Sequence, residues 1–281
     1  HWIPHVKCRY PLKQGVMEFG CGRCMPCRIN RRREWTSRMM LELQGHTVSW
    51  FVTLTYAPEF LPEGGTLVPK HAQDWLKRLR TATGEKIRFY LVGEYGDKSW
   101  RPHYHAILFG GPSTPDPILA TWHFGLGHVG FVTAESIQYV ASYVEKKMTS
   151  SKDDRLNGRY PEFARMSRKP GIGALAVDNM FGKALTSKVG VDAIIREGDV
   201  PSMVRFEGKK WPLGRYLRSR ARAAAGFEEL GMPEDRFIQM ALERQATLSD
   251  AEAFYRHEAD RVNQEATAKA RAKIRASKRS I

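Results

Sequence analysis

His103 and His105, within RPHYHAILFG, are the residues of this 281-residue sequence best suited to chemistry. Side chains alternate across a strand, so residues two apart project from one face. The pair therefore offers two imidazole nitrogens to a single ion. The preceding segment KIRFYLVGEYG (86–96) also reads as a strand. If the two form a hairpin through Asp97 and Lys98, Glu94 falls roughly opposite His103. Two histidines and one carboxylate leave coordination positions open, as a catalytic divalent ion requires. Mixed nitrogen and oxygen ligation fits Mn²⁺ or Mg²⁺, and Mn²⁺ is the better match to imidazole. Taken alone, H-x-H also describes one buried, hydrogen-bonded histidine beside a surface one.

The second constellation is Tyr139 and Tyr143 in AESIQYVASYVEKKM, read as a helix over 134–148 with Thr133 as its N-cap. At roughly 100° per residue, Tyr143 lies about 40° from Tyr139, and Lys146 about 20° to its other side. Ile137, Val140, Val144 and Met148 form a separate apolar stripe. That placement suits two phenol oxygens reaching one substrate. Lys146, or failing it Lys147, would stabilise a phenolate or bind a phosphate. Two interfacial tyrosines on an amphipathic helix are the purely structural alternative.

The third is a cysteine cluster. All four cysteines, Cys8, Cys21, Cys24 and Cys27, lie near the start, three of them as C-G-R-C-M-P-C. Four thiolates match a closed tetrahedral Zn²⁺ site with a structural role. The same spacing occurs in iron–sulfur ligation, and reduced free thiols are the plain alternative.

These groups need a frame. VSWFVTLTY (48–56), 86–96, 102–110 and HVGFVT (128–133) read as strands, with helices over 28–44, at KHAQDWLKRLRTAT, over 134–148 and around 211–226. Interleaved strands and helices predict an α+β domain on a largely antiparallel sheet. Three regions are expected: a Cys-rich arm and basic helix (1–45), a core (46–185) and a basic, mainly helical C-terminal region (186–281). The last stretch, KARAKIRASKRSI, reads as a frayed or DNA-contacting tail.

Lys and Arg total 45 against 30 Asp and Glu, a net charge of +15, and 42% of residues are hydrophobic. The hydrophobic share excludes a disordered chain. The charge makes a nucleic acid the default partner. Arg28, Arg31, Arg32 and Arg33 load the first turns of a helix, where cations oppose the macrodipole. That placement suggests a phosphate partner; a solvated basic face explains it as well. Arg168, Lys169, Arg215 and Arg218 are further DNA-binding candidates. No apolar run approaches the ~20 residues of a membrane span. HWIPHVKCRYPLK lacks the apolar segment of a signal peptide. No G-x-x-x-x-G-K-[ST] loop is present, which argues against an intrinsic helicase motor.

Together, GEYGDKSWRPHYHAILFG and YVASYVEKKM resemble the HUH endonucleases, the initiators of rolling-circle DNA replication. CGRCMPCRINRRREWTSRMMLE, FVTLTY, RFYLVGEYGD, EFARMSRKPGIG and PLGRYLRSR extend the likeness to the replication initiators of gokushoviruses, single-stranded DNA phages of the microvirus family. The resemblance implies an HUH fold: a central antiparallel sheet flanked by helices, with a Cys-rich arm and a helical extension. It implies metal held by His103 and His105, with Glu94 as candidate third ligand. Tyr139 or Tyr143 would attack the scissile phosphate of single-stranded viral origin DNA, with Lys146 or Lys147 assisting. It further implies a host helicase and polymerase as partners, no membrane, and the cytoplasm of an infected bacterium as location. A non-enzymatic DNA-binding protein would explain the charge equally, and another class of metal enzyme the H-x-H. Neither explains H-x-H followed by a two-tyrosine helix.

Overall fold

The structure, a computed structural model, describes residues 6–15, 17–97, 99–145, 150–184, 187–197, 199–206, 208–226 and 251–277, with a few positions between 239 and 246. The first elements are β1 (Leu12–Gln14), β2 (Met17–Phe19), α1 (Met25–Leu43), β3 (Ser49–Thr55), α2 (Pro69–Thr83), β4 (Arg88–Tyr95) and β5 (Pro102–Phe109). There follow α3 (Asp116–Ala120), β6 (Gly127–Phe131), α4 (Ala134–Ala141), a 3₁₀ turn (Ser142–Glu145) and β7 (Phe163–Met166). The chain then forms α5 (Ala174–Ala184), α6 (Lys188–Glu197), β8 (Met203–Phe206), β9 (Lys209–Pro212), α7 (Gly214–Ala224) and α8 (Ala251–Ser277). It divides into two compact units, residues 35–180 and residues 1–34 together with 181–281. The sequence-read arm is thus shared: its first 34 residues cluster with the C-terminal region.

In unit 35–180, five strands form an antiparallel sheet in the order β6-β3-β5-β4-β7. The mixed α/β architecture with a central antiparallel sheet is therefore present as expected. Period-two alternation sorts its residues. Trp50, Val52 and Leu54 of β3, Leu91 and Tyr95 of β4, and Tyr104, Ala106 and Leu108 of β5 join the main core. Trp75, Leu76 and Leu79 of α2, Ile118 and Trp122 belong to the same cluster. The alternate residues, Phe51, Thr53, Val92, Glu94, His103 and His105, share the opposite face.

Hydroxyls anchor the core face. Tyr104 Oη donates to the Val68 carbonyl (2.9 Å) and accepts from the Val68 N–H (3.0 Å). It also lies 2.8 Å from Tyr56 Oη, which in turn reaches His71 Nδ1 at 2.9 Å. Buried polar groups satisfied in this way fix a single arrangement of the strand between the two histidines. Gly93 serves the neighbouring strand: a Cβ there would lie 2.6 Å from Phe163, so only glycine lets the Phe163 ring approach β4.

The unit formed by 1–34 and 181–281 contains two short hairpins, β1–β2 and β8–β9. Ion pairs join its N-terminal arm to α8. Lys7 Nζ meets Asp260 at 2.6 Å, and Arg261 bonds Glu18 (2.6 Å) and Glu258 (2.7 Å).

Two elements differ from expectation. The helix predicted over 134–148 stops at Ala141 and tightens into the 3₁₀ turn Ser142–Glu145. Helix ends often tighten this way, closing i→i+3 bonds on orphan carbonyls. The segment read as a frayed tail is helical as far as Ser277. Its alanines and basic residues favour helix, and cations suit a helix C-terminus. Thr133 caps α4 as predicted, in a reciprocal pair with Ser136.

Candidate active site and metal centre

The site face of the sheet is organised by register. Glu94 of β4 pairs directly with His103 of β5, and His105 faces Val92 on one side and Thr53 of β3 on the other. Glu94 Oε1 lies 2.7 Å from His103 Nε2 and 3.1 Å from His105 Nε2. The remaining imidazole nitrogens are engaged elsewhere. His103 Nδ1 donates to the Arg101 carbonyl at 3.1 Å, and His105 Nδ1 lies 2.9 Å from Thr53 Oγ1. Such outer contacts orient a ring and aim its other nitrogen at the centre.

Glu94, His103 and His105 offer three donors whose atoms all lie within 4.8 Å of one another. Adjacent donors on an octahedral ion with bonds of about 2.1 Å stand about 3 Å apart. The observed separations fit that spacing. Glu94 and His105 are buried, whereas the His103 side chain retains 18% exposure. The centre is thus walled below and open on the His103 side.

Both tyrosines meet this centre. The Tyr143 ring stacks on His105, with centroids 5.4 Å apart and planes 7° apart. Tyr139 stands edge-on to His105 at 5.2 Å, its hydroxyl 3.5 Å from Nε2, and edge-on to Tyr143 at 5.2 Å. Phe51 backs the cluster, parallel to the His105 ring. Their burial differs: Tyr139 is half-buried and Tyr143 is buried. The sequence separated the tyrosines from the apolar stripe, but the 3₁₀ turn winds tighter than an α-helix and carries Tyr143 inward. Burial pushes the Tyr143 phenol above its ordinary value, and the Glu94 carboxylate and Tyr139 add to the effect.

Lys146 and Lys147 lie outside the described residues. Arg168 and Lys169 are exposed in the turn after β7. Arg28, Arg31, Arg32 and Arg33 lie on α1, and Arg215 and Arg218 on α7. Thr53 and Phe51 were not singled out from sequence. The alternation of FVTLTY would have placed both on the histidine face once β3 was set beside β5.

The cysteines form a second donor set. The Sγ atoms of Cys8, Cys21, Cys24 and Cys27 all lie within 4.8 Å of one another. Cys8 Sγ is 3.7 Å from Cys24 Sγ, and a tetrahedral ion with bonds of about 2.3 Å spaces its sulfurs about 3.8 Å apart. Backbone N–H groups of Cys21 and Cys24 donate to Cys8 Sγ (3.2 Å) and Cys21 Sγ (3.4 Å). Burial raises the Cys21 thiol, but N–H donation from Cys24 and Arg23 outweighs it and lowers the group to about 6. Burial pushes the Cys27 thiol up.

Known proteins now bear on the fold and the two donor sets. Residues 49–148 match the family model of the phage replication-associated protein ORF2. That span contains Glu94, both histidines and both tyrosines. The chain is 33% identical to the replication-associated protein ORF2 of Spiroplasma virus 4, over 54% of this chain and 55% of that protein. It is 27% identical to the replication-associated protein VP4 of Bdellovibrio phage phiMH2K, over 79% of this chain and 77% of that one. With the replication-associated protein ORF4 of Chlamydia phage 1 the identity is 30%, over 61% and 48%. The matches span about half the length of the Spiroplasma virus and Chlamydia phage relatives. The resemblance to phage replication proteins read from the sequence is borne out at this level. No solved structure matches the chain. Among the described residues, no helix is long and apolar enough to cross a membrane.

Proposed function

We propose that the chain is an HUH-type nickase and strand transferase. It cuts single-stranded viral origin DNA at a specific site, starting and ending rolling-circle replication through a covalent 5′-phosphotyrosine. One observation carries this reading: two tyrosine rings pack on His105, whose Nε2 converges with that of His103 on a Glu94 oxygen. A bound Mn²⁺ or Mg²⁺, held by Glu94, His103 and His105, would neutralise charge developing on the scissile phosphate.

The chain's own groups do the rest. Thr53 and the Arg101 carbonyl hold the imidazoles in place, and the buried sheet face excludes water from the Glu94 side. The hydroxyl of Tyr139 or Tyr143 loses its proton and forms an O–P bond as the P–O3′ bond breaks. The leaving oxygen takes up a proton and becomes a 3′-OH primer. Lys146, with Lys147 as second candidate, orients the phosphate or stabilises the phenolate. The linkage conserves the phosphodiester, so a second tyrosine can cut the regenerated origin while the released 3′-OH closes the first strand. The cysteine set would hold a structural Zn²⁺. Arginine clusters grip the backbone. A host helicase unwinds and a host polymerase extends, in the cytoplasm of the infected bacterium.

Incubation with a single-stranded origin oligonucleotide should yield a gel-stable protein–DNA adduct only with Mn²⁺ or Mg²⁺ present. Mass spectrometry should place the link on Tyr139 or Tyr143. Tyr139→Phe with Tyr143→Phe should abolish the adduct, and His103→Ala with His105→Ala should remove cleavage and its metal dependence together. An undiminished adduct in the double Phe variant sinks the tyrosine assignment.

A further inference from the structure

A cleft of about 620 Å³ lies within the unit formed by 1–34 and 181–281. Five arginines line it: Arg31 and Arg33 from α1, and Arg215, Arg218 and Arg222 from α7. Its arginines come from segments some 180 residues apart in sequence, so folding, not a local charge run, assembles them. The spacing explains how. Arg215, Arg218 and Arg222 follow i, i+3, i+7 and share one face of α7. On α1, Cys27, Asn30 and Glu34 run along one line, and Arg31 and Arg33 flank it on either side.

The walls are fixed, not pliable. Arg218 and Arg222 both bond Asp199, at 2.5 Å and 2.7 Å. Burial would raise that carboxyl, but Arg222, the Val200 N–H and Arg218 outweigh it and hold it below its usual range. Gly214 adopts φ +65, and a Cβ on it would overlap the Glu34 carboxylate, so glycine lets α7 begin against α1. Cys27 also lines the cleft, making the thiolate cluster part of its wall.

The charge balance is unsatisfied from within. Glu34 and Asp199 are the acidic residues at the cleft, against five arginines. Arg31 and Arg215 are exposed and have no ion-pair partner among the described residues. Guanidinium groups held around a concave surface match the geometry of phosphate oxygens.

We propose that this cleft is a separate DNA-anchoring site that takes the phosphodiester backbone of a strand, and that the cysteine cluster serves this grip, not the cutting step. The proposal rests on the preceding reading that DNA is the substrate. It adds a second point of attachment, made by residues outside the span of 49–148 that contains the nuclease groups.

The test measures equilibrium binding by fluorescence anisotropy in the full chain carrying Tyr139→Phe and Tyr143→Phe, so cleavage is not needed. Arg31→Ala with Arg215→Ala should weaken binding of a single-stranded 30-mer on the order of tenfold. The slope of log K against log salt should become shallower by about 1.4, two contacts' worth for a single strand. A hairpin duplex run in parallel identifies which form of backbone the cleft takes. Arg31→Lys with Arg215→Lys should recover most of the affinity, which also shows that the fold survives. A control pair removing the same charge elsewhere, Lys77→Ala with Lys152→Ala, should leave affinity within twofold. Equal loss in the control, or no loss on either DNA in the alanine pair, overturns the proposal. Failure of the adduct test with loss of binding here would remove the nickase and leave the cleft standing.

Discussion

The two donor sets are built by opposite strategies. Glu94, His103 and His105 sit on two hydrogen-bonded strands of a five-stranded sheet, backed by a core that includes Trp75, Tyr95 and Tyr104. Their convergence follows from register and is in place before any ion arrives. The cysteines come from a loop, the segment before it and the first turns of α1, with little apolar backing: among them only Cys24 is buried. Small units with a thin core draw their folding energy from a metal instead. The histidine site is therefore expected to survive as structure without its ion, and the cysteine site is not.

Metal removal tests that contrast most severely. Structural zinc contributes roughly 10–16 kcal/mol in small thiolate domains at neutral pH. Cys24→Ser with Cys27→Ser, or a strong chelator, should make residues 6–34 protease-sensitive while the sheet residues 49–109 stay protected. Limited proteolysis read by mass spectrometry checks this. An arm that stays protected in protein free of metal by elemental analysis would break the comparison.

The second prediction concerns the frame that holds the histidine site. Glu42 is buried beside Arg88 of β4, His46 Nε2 at 3.4 Å and the Gly173 N–H at 2.7 Å. Burial would raise its carboxyl, but His46, Arg88 and the Gly173 N–H outweigh it and hold it below the usual range. A depressed carboxylate stabilises the fold fully above the unfolded value of about 4.3 and loses that contribution as pH falls through the folded value. Glu42→Gln strands Arg88 and should cost about 3 kcal/mol at pH 7. Its deficit against the native chain should narrow as pH falls below about 4. Thermal melts at pH 7 and pH 3.5 measure both, and an equal deficit at the two pH values would contradict the ion pairing.

How much was legible depended on the range of the contacts. Period-two alternation was enough to set His103 and His105 on one face, and the hairpin put Glu94 opposite. Both rules act within about ten residues. The tyrosines could be tied to each other by helical spacing, but their packing on His105 depends on where α4 stops, and the switch to 3₁₀ at Ser142 has no strong local signal. β7 was missed because EFARM is short and mixed; its pairing with β4 depends on Gly93, which makes room for Phe163. The meeting of α1 with α7 in the arginine cleft spans most of the chain and has no periodic signature at all.

The finest test of the preassembled site is Thr53. Its hydroxyl lies 2.9 Å from His105 Nδ1 and touches no candidate ligand oxygen. Valine preserves its shape and β-branching, so the strand and its register with β5 should persist. What changes is the hold on one imidazole. Partners of this kind typically cost 10–100-fold in metal affinity when removed. Because His105 is also wedged between Phe51 and Tyr143, ring packing keeps most of its orientation. Thr53→Val should therefore fall at the low end, about tenfold weaker Mn²⁺ binding by titration calorimetry, with the melting temperature within a few degrees. Thr53→Ser, which keeps the hydroxyl, should bind as the native chain does. A Val variant with native affinity would mean that packing alone aims the imidazole, and that the sheet preorganises the centre without help from its outer hydrogen bond.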